Sequence, residues 1–278
     1  RYCRAFVISA FYMASNNVLQ GVLLRYSSKT HIKIHYNEKK TNLDVDFEQK
    51  LYKIESRKEG EVAIMLIQFN FKNFKSFKNE NCLDMEATSL KEHEYNIAKT
   101  ENGDYLKIAA IYGANASGKT NVLQAFSYMK KKVLVSDDSR INNNLSGENI
   151  FTFMINNEPI SLEVEILAEN NKIYKYGFEV LNNAIISEWL YEKRVNKFYE
   201  IFDRTNNNIE VKVNKNKLLG LANVDEKTLF LNVFAKIDKN NEDFNNVYNW
   251  FIDANYLDLG DPNFENALNN KISLKIIE

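Results

Sequence analysis

Cysteine is nearly absent from these 278 residues. Cys3 and Cys82 are the only two, far apart and in no metal-ligand spacing, which argues against a disulfide framework and fits a reducing cytoplasm. Nor does either sign of charge prevail. Thirty-six basic against 37 acidic residues leave a formal charge of -1, so no bulk field draws nucleic acid or an anionic membrane, and only a local basic patch stays open. Long hydrophobic runs are missing too. Ala5 to Ala14, the longest near the start, is about half of the roughly 20 residues that a spanning helix needs, so no membrane span is expected. Arg1 and Arg4 give that run the outline of a signal peptide, but the chain opens on Arg and no small-residue cleavage site follows. His31 and His35 could share one face of a strand, yet without a carboxylate or thiolate nearby they make an incomplete metal site and read as surface residues.

Apolar residues, by contrast, are plentiful. At 45% hydrophobic and 13% aromatic the chain can bury a sizeable core in one large domain or two ordinary ones. A structural plan begins at Met65. Leu66 to Phe71 alternates, with Ile67, Phe69 and Phe71 on one face, and Cys82 to Glu86 alternates again, which predicts an antiparallel pair joined through Asn73-Phe-Lys-Ser-Phe77. Residues 1–64 show no comparable plan. Lys58-Glu-Gly60 can be encoded by a ribosome-binding sequence just ahead of Met65, so 1–64 reads as an extension upstream of a natural start, a genuine N-terminal segment being the alternative.

Leu106 to Tyr112 is a short apolar run of the kind that forms a buried strand. A helix is predicted over Lys119 to Val135, where Val122, Phe126, Met129 and Val133 recur at helical spacing and Lys130, Lys131 and Lys132 suit a solvated C-terminal end. Over 151–213 short strands follow as an antiparallel meander: Phe151 to Ile155, Leu162 to Leu167, Ile173 to Val180, Ile185 to Tyr191, Phe198 to Phe202 and Ile209 to Val213, linked by Asn-rich turns. Leu162, Val164 and Ile166 alternate with Ser161, Glu163 and Glu165, so one face should be wet and these glutamates solvent-facing. Two helices are predicted within 228–255, with Phe230, Phe234 and Ile237 and then Phe244, Val247 and Phe251 facing inward, and Trp250 as core.

Between the Leu106–Tyr112 strand and the Lys119 helix lies Gly113-Ala-Asn-Ala-Ser-Gly-Lys-Thr120, a complete match to G-x-x-x-x-G-K-[ST]. Chance gives those four constrained positions in about one chain of this length in a hundred. Gly113 and Gly118 let the backbone turn tightly against phosphate oxygens, while the N–H groups of Ala114, Asn115, Ala116 and Ser117 can form an anion nest at a helix N-terminus. Lys119 can reach between the β- and γ-phosphates, and the Thr120 hydroxyl is placed to ligate Mg²⁺. ATP and Mg²⁺ are therefore the expected cofactors.

Taken with the turn Asn73-Phe-Lys-Ser-Phe77, the stretch Ile111-Tyr-Gly-Ala-Asn-Ala-Ser-Gly-Lys-Thr-Asn-Val-Leu-Gln-Ala-Phe126 resembles the N-terminal head of the SMC and RecF families. It is more similar still to AAA-type ATP-binding proteins near the OLD and abortive-infection ATPases, which carry stretches like Tyr176-Gly-Phe178 and Glu188-Trp-Leu-Tyr191. That resemblance implies an α/β fold, a P-loop NTPase of ABC-ATPase head type with an antiparallel β-meander lobe and following helices, over 65–278 as an incomplete domain. It also implies a cytoplasmic homodimer through the heads and a nucleic-acid or nuclease effector, in phage defence or DNA maintenance, with no membrane involved. Asn115 and Asn121 match the family's extended loop, and Lys75 its aromatic-basic turn, where an ordinary exposed lysine is the alternative.

Such heads also need four apolar residues followed by Asp-Glu, a signature Ser-Gly-Gly and a Q-loop. Tyr199-Glu-Ile-Phe-Asp203 is followed by Arg204, Trp250-Phe-Ile-Asp253 by Ala254, and the only glutamine beyond the loop is Gln124. The expectation is a piece of a longer ATPase that binds nucleotide without completing hydrolysis. Glu163, Glu188 and Asp203 are the carboxylates to examine should it turn over. A degenerate binding module and a P-loop kinase are the competing readings, the second disfavoured by the strand pair that precedes the loop.

Overall fold

The computed structural model describes residues 9–15, 18–24, 64–89, 94–114, 117–135, 158–206, 208–212 and 224–258. Phe151 to Ile155, Cys3, His31, His35, Asn115 and Ala116 lie outside the described residues.

Alternation sets up the larger sheet. Strands β3 (Met65–Lys72) and β4 (Asn81–Asp84) pair antiparallel through the Asn73 to Phe77 turn, as the sequence predicts, but an irregularity between Leu66 and Gln68 turns Ile67 away from the face that alternation predicts it shares with Phe69 and Phe71. The meander then runs β8 (Ile160–Leu167), β9 (Ile173–Leu181), β10 (Ala184–Arg194), β11 (Lys197–Thr205) and β12 (Asn208–Val211). Between β4 and β8 come the hairpin β5 (Ile97–Thr100) and β6 (Gly103–Leu106), then β7 (Ile108–Ile111). The seven-stranded sheet has the order β12-β11-β10-β9-β8-β3-β4, and all its pairs are antiparallel. Asn182 and Asn183, both at positive φ, make the β9–β10 turn, which suits asparagine's tolerance of that conformation.

One face of this sheet meets three helices, α1 (Lys119–Leu134), α2 (Phe230–Ile237) and α3 (Glu242–Asp253). Val122, Phe126, Met129 and Val133 of α1 are buried, as their spacing predicts. Aromatic pairs fix the packing. Phe126 meets Phe69 of β3 at 5.5 Å and Trp250 of α3 at 6.0 Å, Tyr176 meets Phe251 at 5.8 Å, and Phe202 meets Phe244 at 5.3 Å. Such pairs contribute about 0.5–1.5 kcal/mol each beyond their burial. Asn241 caps α3 by accepting from the Phe244 N–H, and Glu242 and Asp243 in its first turn favour the positive end of the helix.

Four further expectations need correction. Ile237 is 61% exposed, because α2 ends there and the residue passes beyond the core. Lys132 is not at a solvated helix end: it is 1% exposed, on the side of α1 facing the β9–β10 turn, and its ammonium reaches Asn183 Oδ1 at 3.4 Å. The far face of the sheet is not uniformly wet either. The β5–β6 hairpin covers one end, where Ala98 and Tyr105 bury Met65, Ile67, Leu167 and Ile173, and Glu165 is buried against Lys193 at 3.0 Å. Finally, Leu106 to Tyr112 is two strands rather than one. β6 ends at Leu106, and β7 belongs to a second sheet of order β13-β1-β2-β7, where β13 is Ala254–Asp258, β1 is Ser9–Ser15 and β2 is Val18–Leu24. β7 lies at its edge, parallel to β2, so Ile108 is 49% exposed and not buried. Part of the 1–64 segment is thus built into the sheet that carries β7.

Candidate functional site

Strand β7 delivers the chain to the glycine loop, and α1 begins at Lys119, the order that a phosphate loop requires. Gly118 is the N-cap of α1, at φ 90 in the left-handed region, and that conformation turns the chain into the helix. It also lies against the Asn73 to Phe77 turn: a Cβ there would stand 2.3 Å from Ser76 Oγ. The same hydroxyl accepts from Asn121 Nδ2 at 2.8 Å, and Lys75 donates to Gln124 Oε1 at 2.9 Å. Lys75 is half-buried and not an ordinary exposed lysine. The turn is thereby fastened onto the first two turns of α1.

Its own geometry is demanding. Asn73 and Lys75 both have positive φ, and Phe74 and Phe77 exchange backbone hydrogen bonds of 2.9 Å in each direction. Asn73 is fully buried and donates to Glu158 O at 2.7 Å, while Phe74 packs beside Tyr128 of α1. The sequence marks the Asn73 to Phe77 stretch as a turn and Lys75 as its one candidate site residue. The contact of Ser76 with Gly118 joins segments some forty residues apart, and no spacing rule reveals it.

Within the loop, the Lys119 side chain is 3% exposed and curls back over the turn. Its ammonium donates to Gly113 O at 2.9 Å, to Ala114 O, and to Ser117 Oγ at 3.4 Å. A cation held by carbonyls at the mouth of the loop can exchange those acceptors for phosphate oxygens. The sixteen-residue helix behind it adds its positive end and its first-turn N–H groups. These residues fit a triphosphate. Thr120, half-buried in the first turn of α1, supplies the one hydroxyl suited to Mg²⁺, and among the described residues no three His, Cys, Asp or Glu cluster to hold a metal on their own. Gly113, Ala114, Ser117, Gly118, Lys119, Thr120 and Asn121 are thus brought together at one helix end.

The three carboxylates singled out in the sequence serve the sheet. Glu163 accepts from Trp189 Nε1 at 2.8 Å and from Asn70 Nδ2 at 3.2 Å. Asp203, on β11, accepts from the Tyr191 hydroxyl at 3.2 Å. Glu188, wholly buried, accepts the backbone N–H groups of Phe230 at 2.7 Å and Leu231 at 2.9 Å and the Tyr176 hydroxyl at 3.0 Å, with Arg204 Nη1 at 3.7 Å. Burial pushes its pKa upward, and the two N–H groups, Arg204 and Tyr176 oppose that shift.

The Tyr-Gly-Phe and Glu-Trp-Leu-Tyr stretches now have a physical explanation. Gly177 of β9 pairs with Trp189 of β10, and a Cβ on Gly177 would lie 2.4 Å from the indole, so glycine lets the ring lie flat over the strand. Tyr176 and Glu188 form their hydrogen bond on the core face of the same two strands. Both stretches organise the meander and the start of α2.

No curated protein matches this chain. The family model described as "AAA domain, putative AbiEii toxin, Type IV TA system" matches residues 108–245. That stretch opens on β7 and takes in the phosphate loop, α1, the meander, α2 and the first turn of α3. Over this stretch, just under half of its length, the chain is therefore similar to AAA-type P-loop ATPase domains.

Proposed function

We propose that this domain binds ATP with Mg²⁺ at Gly113 to Asn121, and that binding drives two such heads together to control a DNA-related or phage-defence effector in the cytoplasm. One observation carries the first part: Lys119 is gathered by loop carbonyls in front of the N-terminus of α1. There Lys119 neutralises phosphate charge, the first-turn N–H groups of α1 orient the phosphates, and Thr120 Oγ1 holds the metal. Bound with the nucleotide, Mg²⁺ supplies positive charge across the phosphate oxygens. The ABC-type head, its dimer and its effector rest on the resemblance of the Asn73 to Phe77 turn and the loop to SMC, RecF and OLD proteins. The family description, with its putative AbiEii toxin of a type IV TA system, supports the defence part of this reading alone.

A reading as a nucleotide-binding module without hydrolysis has its own support. Glu163, Glu188 and Asp203 are each engaged in the sheet, and phosphoryl transfer to water needs a group that positions that water. Titration calorimetry with MgATP on wild type and Lys119→Ala tests the binding reading. Saturable binding that the variant loses supports it, and equal affinities overturn it. Turnover measured across a protein concentration series then separates the head-dimer reading, which requires a rise with concentration, from the module.

A further inference from the structure

Helix termini leave backbone groups without partners, and here those of α1 and α2 are satisfied by one buried series of contacts. At the end of α1 remote from the phosphate loop, Val133 O accepts from Asn232 Nδ2 at 2.6 Å. Asn232 is 1% exposed and sits on α2. The N-cap position of α2, Leu229, offers no side-chain hydrogen bond, and Glu188 of β10 takes that role from outside the helix through Phe230 and Leu231. Arg204 of β11 completes the grip, donating to Thr228 O at 2.6 Å, Asp225 O at 3.2 Å and Asn206 O at 2.8 Å.

Resting on the ATP reading above, we infer that Asn232 and Glu188 are positioning residues for the phosphate-loop helix, so that nucleotide at the loop and the state of strands β10 and β11 depend on each other. The reason is mechanical. α1 is one unbroken helix of sixteen residues, about 24 Å long, whose internal hydrogen bonds leave little room to absorb an axial shift. Its near end is fixed to the Asn73 to Phe77 turn by Asn121 and Gln124, and its far end to α2 by Asn232. Lys130 adds a second tie at the far end, donating to Ile252 O and Ala254 O. A movement of the loop therefore reaches Asn232, and α2 passes it to Glu188, because a buried N–H that loses its acceptor is costly. Coupling of this kind is reciprocal: what nucleotide does to the strands, the strands do to nucleotide affinity.

Amide hydrogen exchange on the full chain, with and without MgATP, tests this in wild type, Asn232→Leu and Glu188→Gln. Leucine keeps the branched shape of Asn232, at a larger volume, and cannot donate, while glutamine keeps the shape of Glu188 and cannot accept from both N–H groups. Without nucleotide, either variant should lose about tenfold in protection at residues 118–124, the end of α1 opposite the lost contact. MgATP should raise protection over 184–205 in wild type and much less in the variants, whose affinity should fall about fivefold, with Asn232→Gln, which keeps the donor, recovering most of it. Changes confined to 130–135 and 229–236, with affinity unaltered, would overturn the inference and leave Asn232 a local cap. Should Asn232→Leu not fold, Glu188→Gln alone decides on the same readouts. Wild type that binds no MgATP would defeat the ATP reading, and the nucleotide-free comparison at 118–124 would still judge the positioning role.

Discussion

Gly177→Ala adds a methyl group at a place where the sheet has no room for one. Its Cβ would stand 2.4 Å and 2.6 Å from indole carbons of Trp189 and 2.9 Å from the backbone oxygen of Leu162. The oxygen belongs to the neighbouring strand β8 and cannot retreat, so the indole must move outward by about 1 Å to restore ordinary contact. That displacement pulls Trp189 Nε1 from Glu163 Oε2, now at 2.8 Å. Overpacking costs about 1–3 kcal/mol, the hydrogen bond to a half-exposed carboxylate adds about 1 kcal/mol, and the reduced freedom of the unfolded chain returns about 0.4–1 kcal/mol. The balance is a loss of about 2–3 kcal/mol. Urea unfolding followed by tryptophan fluorescence measures it, and the Trp189 emission should shift at the same time. In a Trp189→Leu background the same change should cost less than half as much, as a double-mutant cycle reports. A Gly177→Ala protein within 0.5 kcal/mol of wild type would refute the reasoning that this glycine exists to seat the indole.

Gly118→Ala must hold a side chain at φ 90 against Ser76 Oγ, so it should lose about 2 kcal/mol in thermal unfolding and at least tenfold in MgATP affinity by calorimetry. Lys132 has its pKa lowered by burial to about 8, while the unfolded chain holds that proton up to about 10.5, so between those values the unfolded state binds more protons and stability rises with pH. Lys132→Met removes this dependence: melting temperatures taken from pH 7.5 to 10 should show the variant ahead of wild type at the lower end and its lead shrinking toward the upper. A lead that grows with pH would contradict the buried-amine assignment. Ser76→Ala removes the acceptor of Asn121 and relaxes the turn on α1, so exchange at residues 118–122 should quicken several-fold with little change in the meander.

Sequence alone located the phosphate loop, the inward face of α1 and five strands of the meander. Each is written in contiguous residues: a fixed spacing of glycine, lysine and threonine, a helical recurrence at Val122, Phe126, Met129 and Val133, and period-two alternation between asparagine turns. The antiparallel pair before the loop was legible for the same reason. What the sequence could not express is which distant residue meets which. Lys132 reads as a dipole-suited surface lysine until the β9–β10 turn closes over it, and Glu165 as solvent-facing until Lys193 and the β5–β6 hairpin arrive. Ile108 reads as buried until sheet order puts β7 at an edge. Glu188, a charged residue amid hydrophobic neighbours, announces that it needs partners but not that they are two helix N–H groups more than forty positions ahead. Local periodicity is set by backbone geometry and survives in one dimension, whereas hydrogen-bond satisfaction and burial are properties of the assembled core, and only the tertiary structure decided them.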